Sequence, residues 1–157
     1  MASSISTNMP VSNGWLPDAN VWLALCSDRH EHHQVAADWF SAAHELIWFC
    51  RVTQMTLLRL LTNKIVMGTD LLRPGEAIDV YRRLLNDSRI RFADEPVGAE
   101  GEWLALMEVP EANGSVWTDA WLAAFSIVHG SRLISFDAGT RRWTTASVEV
   151  LRKTGSL

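Results

Sequence analysis

Three aspartates stand where a parallel α/β sequence would place functional groups. Asp18 follows a short apolar segment at residues 14–17. Asp137 directly follows the apolar run RLISF, and Asp119 opens the helical pattern AWLAAFSIV. If both apolar runs are strands of one parallel sheet, Asp18 and Asp137 lie at its carboxyl edge, where such sheets bind ligands. A helix that starts at Asp119 and returns beneath the sheet brings its first turn to the same edge.

Each aspartate taken alone has a structural explanation. Asp18 and Asp119 could be helix N-caps, a role worth about 1 kcal/mol, and Asp137 could bond its own backbone in a turn. Three carboxylates at one edge repel one another, however, and such a cluster persists only where protons or a cation neutralise it. Mg²⁺ or Mn²⁺ is the natural counter-ion, because both take hard oxygen ligands and keep several waters.

The composition limits the classes of protein that this chain can belong to. Its 157 residues, 48% apolar and 20% charged, indicate one globular domain, which we place at 14–157 after a flexible polar arm at 1–13. The net charge of −4 means that RNA binding must depend on a local patch. Two cysteines without a CxxC motif favour a reducing cytoplasm. We expect a cytoplasmic protein, since no apolar stretch reaches the roughly 18 residues of a membrane span and no signal peptide is present.

Predicted strands alternate with predicted helices along the chain. Strands are predicted at residues 14–17, 45–50, 90–94 and 132–136, with a small edge strand near 148–151. Helices are predicted at 18–26 and 30–43, from Thr53 through LLRLLTN, and at 74–85, 99–107 and 118–128. The alternation predicts a three-layer α/β fold in which a mostly parallel sheet of four to five strands is flanked by helices.

Four segments in series carry a family resemblance: LPDANVWLAL, RVTQMTLLRLLTN, WTDAWLAAFSI and RLISFDAGT. Their order and spacing cover nearly the whole chain after the arm. In these segments the sequence resembles the PIN-domain family, and within it the VapC-type toxins of bacterial toxin–antitoxin pairs. The resemblance implies a PIN fold, a ribonuclease activity that depends on Mg²⁺ or Mn²⁺, inhibition by a small cognate antitoxin, and pairing as a homodimer.

The resemblance also assigns site residues. Asp18, Asp119 and Asp137 match three acidic metal-site positions, and Ser135 matches a small hydroxyl position beside the site. Gln54 stands where many family members have a glutamate. Glutamine keeps an oxygen that can coordinate an ion or hold a water but loses one charge, so weaker metal binding is expected. The glutamates that could fill this gap, none singled out by its spacing, are Glu100, Glu102, Glu108 and Glu111.

The implied reaction is metal-assisted hydrolysis of RNA. Asp18 and Asp137 would hold the ion directly, Asp119 would coordinate it or orient a coordinated water, and Gln54 would position the water or a second ion. No nucleophilic Cys, Ser or His is needed for this chemistry, and no catalytic triad is evident.

The residues just past Asp137 offer a local grip on RNA. Arg141 and Arg142 could contact phosphates, and Trp143 could stack on a base. The alternative of equal weight is a solvated arginine pair beside a core tryptophan.

Other functions stay open at this stage. Gln54 makes a non-catalytic PIN module that binds RNA or a protein partner the main alternative. A phospho-aspartyl enzyme is disfavoured because Lys64 and Lys153, the only lysines, are badly placed for it. The segment DRHEHH invites a zinc site with Cys26, but its helical spacings supply too few ligands for zinc.

Overall fold

The computed structural model of the chain describes residues 12–108 and 114–154. Its strands are β1 (Trp15–Pro17), β2 (Ile47–Phe49), β3 (Ile90–Phe92), β4 (Arg132–Ser135) and β5 (Val148–Val150). Its α-helices are α1 (Ala19–Cys26), α2 (His33–Ala42), α3 (Arg51–Leu61), α4 (Lys64–Met67), α5 (Pro74–Leu84), α6 (Ala99–Met107) and α7 (Trp117–His129). Short 3₁₀ turns cover Gly68–Asp70, Gly114–Val116 and Ala138–Arg142.

The five strands form one parallel sheet in the order β3-β2-β1-β4-β5. Strand β1 is central, with Leu16 opposite Leu133 of β4. The chain leaves β1 toward β2 and β3, then crosses back to place β4 on the other side of β1. Ligands of open α/β sheets bind at such a reversal of strand order. The predicted parallel sheet of four to five strands is therefore confirmed, and its reversal point lies directly after Pro17.

Side chains of the strands alternate between the two faces of the sheet, as expected for a period of two. Trp15 and Ile134 pack on the face that α1, α3 and α5 cover. Leu16 and Leu133 point to the other face, where they pack against Phe125 of α7. Helix α6 packs in turn on α7. Two apolar cores separated by the sheet make the three-layer arrangement that the sequence predicts.

Several element boundaries differ from the sequence prediction. Helix α3 begins at Arg51, so the prediction that it starts at Thr53 is wrong by two residues. Thr53 is instead the third residue of the helix, and its hydroxyl accepts a hydrogen bond from the Cys50 backbone N–H at 3.1 Å. Helix α2 begins at His33 rather than His30, and α7 begins two residues before Asp119. These shifts are small because the apolar pattern fixes the middle of a helix better than its ends.

Some predictions lie partly outside the described residues. Residues 1–11 of the predicted arm lie outside the described residues, and so does Glu111. Asn13 is described, and it donates hydrogen bonds to the carbonyls of Gly130 at 2.8 Å and His129 at 3.0 Å. No helix in ranges 12–108 and 114–154 is long and apolar enough to cross a membrane.

Candidate active site

Asp18 lies between the central strand and the first helix. Its Oδ1 accepts a hydrogen bond from the Val21 backbone N–H at 3.0 Å, which makes Asp18 the N-cap of α1. Its own backbone N–H donates to the carbonyl of Ile134 at 2.9 Å, so the residue is also fixed to β4. The structural role and the site role proposed for Asp18 are therefore compatible, since a cap uses only one lone pair of one carboxylate oxygen.

Ser135 joins Asp18 to the loop after β4. The side chain of Ser135 is buried, and its hydroxyl donates to Asp18 Oδ2 at 2.6 Å. The Ser135 hydroxyl oxygen in turn accepts a hydrogen bond from the Asp137 backbone N–H at 3.0 Å. Asp137 Oδ1 accepts from the Gly139 N–H at 2.7 Å and starts the 3₁₀ turn. One buried hydroxyl thus positions two of the three predicted aspartates at the reversal point of the sheet.

The carboxylates influence one another electrostatically. Burial raises the pKa of Asp18 to about 6, and the charge of Asp119 adds to this rise, while the hydrogen bonds from Ser135 and Val21 oppose it. Partial burial of the Asp119 carboxyl raises its pKa, the charge of Asp137 raises it further, and Arg142 lowers it. The charge of Asp119 therefore acts on Asp18, and the charge of Asp137 acts on Asp119.

The site is not a closed metal cage. Asp119 and Asp137 are exposed, whereas Asp18 is half-buried. Within the described part of the chain, no group of three or more His, Cys, Asp or Glu side chains is already arranged to hold a metal ion. An ion bound here would therefore have to take part of its coordination from water, which is usual for Mg²⁺.

The raised pKa of Asp18 predicts a pH-dependent stability of the metal-free protein. The folded protein binds this proton more tightly than the unfolded chain, so the charge of Asp18 reduces stability above about pH 6 and the cost vanishes below about pH 4. We expect Asp18→Asn to raise the free energy of unfolding in EDTA by up to about 3 kcal/mol at about pH 8, and to give no gain at about pH 4. Urea unfolding at both pH values measures the difference, and an equal effect at the two would contradict it.

Gln54 lies on α3 and is held by its neighbours. Its Oε1 accepts a hydrogen bond from the Arg51 guanidinium, and its side chain also hydrogen-bonds with Tyr81. Within residues 12–108 and 114–154, Gln54 makes no hydrogen bond with any of the three aspartates. The structure therefore joins Ser135 with Asp18 and Asp137, whereas it pairs Gln54 with the Arg51 guanidinium.

The predicted RNA-binding trio divides into two parts. Arg141 and Arg142 are exposed, and Arg142 is the cation whose charge lowers the pKa of Asp119. Trp143 is only 5% exposed and packs against Ala120 and Ala123 of α7. The prediction that Trp143 offers a stacking ring is therefore wrong, because the 3₁₀ turn directs the indole into the core.

Two histidines that the sequence pattern does not assign to the site, His30 and His32, lie at its border. The rings of His30 and His32 lie against Phe136, with centroids at 6.2 and 4.6 Å. Phe136 separates Ser135 from Asp137 in the chain. The neighbouring His33 bonds the Ala24 carbonyl through Nδ1 at 2.7 Å. The spacing within DRHEHH could not reveal the contact with Phe136, since it joins segments about a hundred residues apart.

The structure singles out no glutamate as a replacement for the missing acidic residue. None of the described glutamates is among the charges that shift the pKa of Asp18 or Asp119. The glutamates concerned are Glu100 and Glu102 in the first turn of α6 and Glu108 just after that helix.

The fold and site define a class: open parallel α/β proteins with an anionic site at the carboxyl edge of the central strands. The family model of the PIN domain matches residues 15–144, and this chain belongs to the PIN-domain family. It is 38% identical over 144 residues to Ribonuclease VapC41 of Mycobacterium tuberculosis, an alignment that covers 88% of this chain and 99% of that protein. It is 33% identical to Ribonuclease VapC29 of the same organism, with 79% and 86% covered.

Solved structures show the same fold. The Mycobacterium tuberculosis toxin VapC20, described as cleaving the sarcin–ricin loop, superposes with a TM-score of 0.67 at 18% identity, covering 88% of this chain and 99% of that one. VapBC2 from Rickettsia felis, solved bound to a DNA fragment from its promoter, superposes at 0.65 with 11% identity and the same coverage. At these identities the likeness shows the fold alone.

Proposed function

We propose that this protein is a VapC-type endoribonuclease that hydrolyses RNA phosphodiester bonds at the Asp18 site with the help of Mg²⁺ or Mn²⁺. The observation that carries the proposal is the half-buried Asp18 carboxylate, hydrogen-bonded to Ser135 at the reversal point of the sheet and influenced by the charge of Asp119. Strongly perturbed carboxylates in such a place are typical of functional sites. The two Mycobacterium tuberculosis relatives compared above carry the name ribonuclease.

The residues of the site fit a hard divalent cation. Its donors are carboxylate and hydroxyl oxygens, which are the ligands that Mg²⁺ and Mn²⁺ prefer. Among the described residues, no Lys, Arg or His nitrogen lies within 4.0 Å of an oxygen of the three aspartates. Asp18 and Asp137 would hold the ion directly, and Asp119 would hold it directly or through water. A cation there would lower the pKa of a bound water and offset charge on the phosphodiester.

The protein's own side chains would orient the reaction. Ser135 positions the Asp18 carboxylate through its 2.6 Å hydrogen bond. Asp119, with its raised pKa, can orient or accept a proton from the attacking water. Arg141 and Arg142 are exposed beside the aspartates, where their guanidinium groups can hold the phosphates of the RNA.

A cognate antitoxin and a second copy of the chain are the proposed protein partners. Helices α3 and α4 expose apolar side chains: Met55 is 62% exposed and Ile65 is 96% exposed. Exposed apolar side chains on two helices that contact each other are typical of a surface that binds another protein. The VapBC2 structure, which has the same fold, is the observation that favours an antitoxin.

The first test of the proposal is the removal of the metal. The protein incubated with total RNA and Mg²⁺ or Mn²⁺ is expected to release discrete fragments on a denaturing gel, and none with EDTA. Restoring excess metal should restore cleavage. Cleavage that persists in EDTA would contradict the metal dependence. Binding of RNA without cleavage under all conditions would favour the non-catalytic PIN module, the alternative that Gln54 raises.

Gln54→Glu is expected to tighten Mg²⁺ binding, because it restores the anionic oxygen that many family members carry at this position. The contact with Arg51 should limit this gain, since the guanidinium neutralises part of the new charge. Titration calorimetry measures the affinity, and Asn86→Asp in the exposed turn after α5 adds the same charge elsewhere. An affinity that is unchanged, or that rises equally in the control, would place residue 54 outside the reach of the ion.

A further inference from the structure

A cavity of about 370 Å³ lies between α6 and the start of α7. Three tryptophans, Trp103, Trp117 and Trp121, form most of its wall, and two glutamates, Glu95 and Glu100, also line it. None of these five residues is part of the aspartate site. We call this cavity the tryptophan box.

The three indoles are arranged as walls rather than as a stack. Trp103 stands at 74° to Trp117 and at 86° to Trp121, with ring centroids 5.5 Å apart in both pairs. The Trp103 Nε1–H donates to the Trp117 carbonyl at 2.9 Å, which fixes the corner. Trp117 is nevertheless 45% exposed. An indole that open to water at the edge of a cavity is typical of a recognition surface rather than of a core.

The charge of the tryptophan box is negative. Among the described residues, no Lys, Arg or His nitrogen lies within 4.0 Å of Glu95 or Glu100. Glu100 is in the first turn of α6, where an acidic residue stabilises the helix dipole. That explanation does not extend to Glu95, which precedes the helix, nor to the exposed indole of Trp117. The box therefore combines aromatic walls with two exposed carboxylates that form no ion pair among the described residues.

We propose that the tryptophan box binds the guanidinium of an arginine side chain presented by a protein partner. A guanidinium can stack on an indole face and pair with a carboxylate at the same time. An RNA phosphate would be repelled by the glutamates, and a neutral apolar side chain would leave them without a counter-charge. Thr118 also lines the box, and Asp119 is the next residue, so the bound partner would lie beside the proposed active site. Binding to the box is measured without RNA cleavage, so it can be tested separately from the proposed function.

The test is a titration of the ¹⁵N-labelled full chain with N-acetyl-arginine amide, observed by NMR at the indole N–H groups. Single Trp→Phe variants assign the signals of Trp103, Trp117 and Trp121. Those signals are expected to move in a saturable way with a dissociation constant on the order of 1 mM, as suits one side chain. N-acetyl-citrulline amide has nearly the same shape but no charge, and it should bind at least about 10-fold more weakly.

Matched variants localise the binding. Glu100→Gln and Trp117→Ala should each weaken the arginine probe at least about 5-fold. Glu102→Gln removes the same charge from the same helical turn, but Glu102 does not line the box. The affinity of this variant for the arginine probe should therefore stay within about 2-fold of that of the unchanged protein. If Trp117→Ala does not fold, as judged by its amide spectrum, Glu100→Gln decides.

Three results would overturn the proposal. The first is equal binding of the arginine and citrulline probes. The second is arginine binding that Glu100→Gln leaves unchanged. The third is the absence of saturable arginine binding. If arginine does not bind but guanosine 5′-monophosphate moves the same indole signals, and Glu100→Gln abolishes that movement, the box is a nucleobase pocket instead.

Discussion

Asp119→Asn is expected to lower the rate of metal-dependent RNA cleavage by at least about 100-fold. Replacing a residue that only orients the ligands of a metal already lowers activity by up to about 100-fold, and Asp119 would act on the ion directly or through one water. The substitution keeps the shape of the side chain but removes a charge that acts on Asp18. Asp119 is the third residue of α7, where losing a negative charge costs the helix about 0.3–1 kcal/mol. The variant should therefore fold. A fluorogenic RNA assay over a range of Mg²⁺ concentrations measures the loss.

A second measurement separates this effect from a general loss of structure. The pKa of Asp18, followed by carboxyl ¹³C NMR in EDTA, should fall in Asp119→Asn because one cause of its rise has been removed. Asp79→Asn on α5 removes the same charge from an exposed residue that does not shift the pKa of Asp18 or Asp119, and it should leave both readouts unchanged. Cleavage at the normal rate in Asp119→Asn would remove Asp119 from the catalytic site. RNA binding without cleavage in both the unchanged protein and Asp119→Asn would favour the non-catalytic PIN module.

Trp22→Ala is expected to lower the free energy of unfolding by about 3–5 kcal/mol, the usual cost of removing a large aromatic ring from a core. Trp22 is fully buried on α1 and stacks on Phe49 of β2, with ring centroids 3.9 Å apart and planes within 12°. The pair joins the first helix to the sheet directly behind the Asp18 loop. Urea unfolding followed by circular dichroism measures the loss, and an unchanged slope would show that the unfolded state is unaffected.

Two further tryptophan variants control for the identity of the side chain. Trp117→Ala removes the same ring from a 45% exposed position and should cost about 1 kcal/mol or less. Trp22→Phe should cost less than Trp22→Ala, because the Trp22 Nε1–H is buried without a hydrogen-bond acceptor among the described residues and phenylalanine removes it. Equal losses in Trp22→Ala and Trp117→Ala would contradict the assignment of Trp22 to the core.

The sequence predicted the fold and the three aspartates because both depend on local patterns. Apolar runs of the right length defined all five strands within a few residues. A carboxylate placed directly after a strand goes to the carboxyl edge of a parallel sheet whatever the rest of the chain does. The family resemblance added Ser135, whose hydroxyl lies between Asp18 and Asp137. Gln54 and its lost charge were also visible in the sequence.

Other features depended on contacts that no local pattern contains. Whether Trp143 stacks on RNA or fills the core was undecided in the sequence, and packing against α7 buried it. The contact of His32 with Phe136 joins distant segments.

By itself, then, the sequence determined which residues stand at the ends of the strands, since the periods of helices and strands are properties of neighbouring residues. Only the tertiary structure decided which of those residues meet, which indoles stay open to water, and which carboxylates change their pKa. The physical reason is that burial, hydrogen bonding and charge repulsion depend on distances in space, as the 2.6 Å between Ser135 and Asp18 across 117 residues shows.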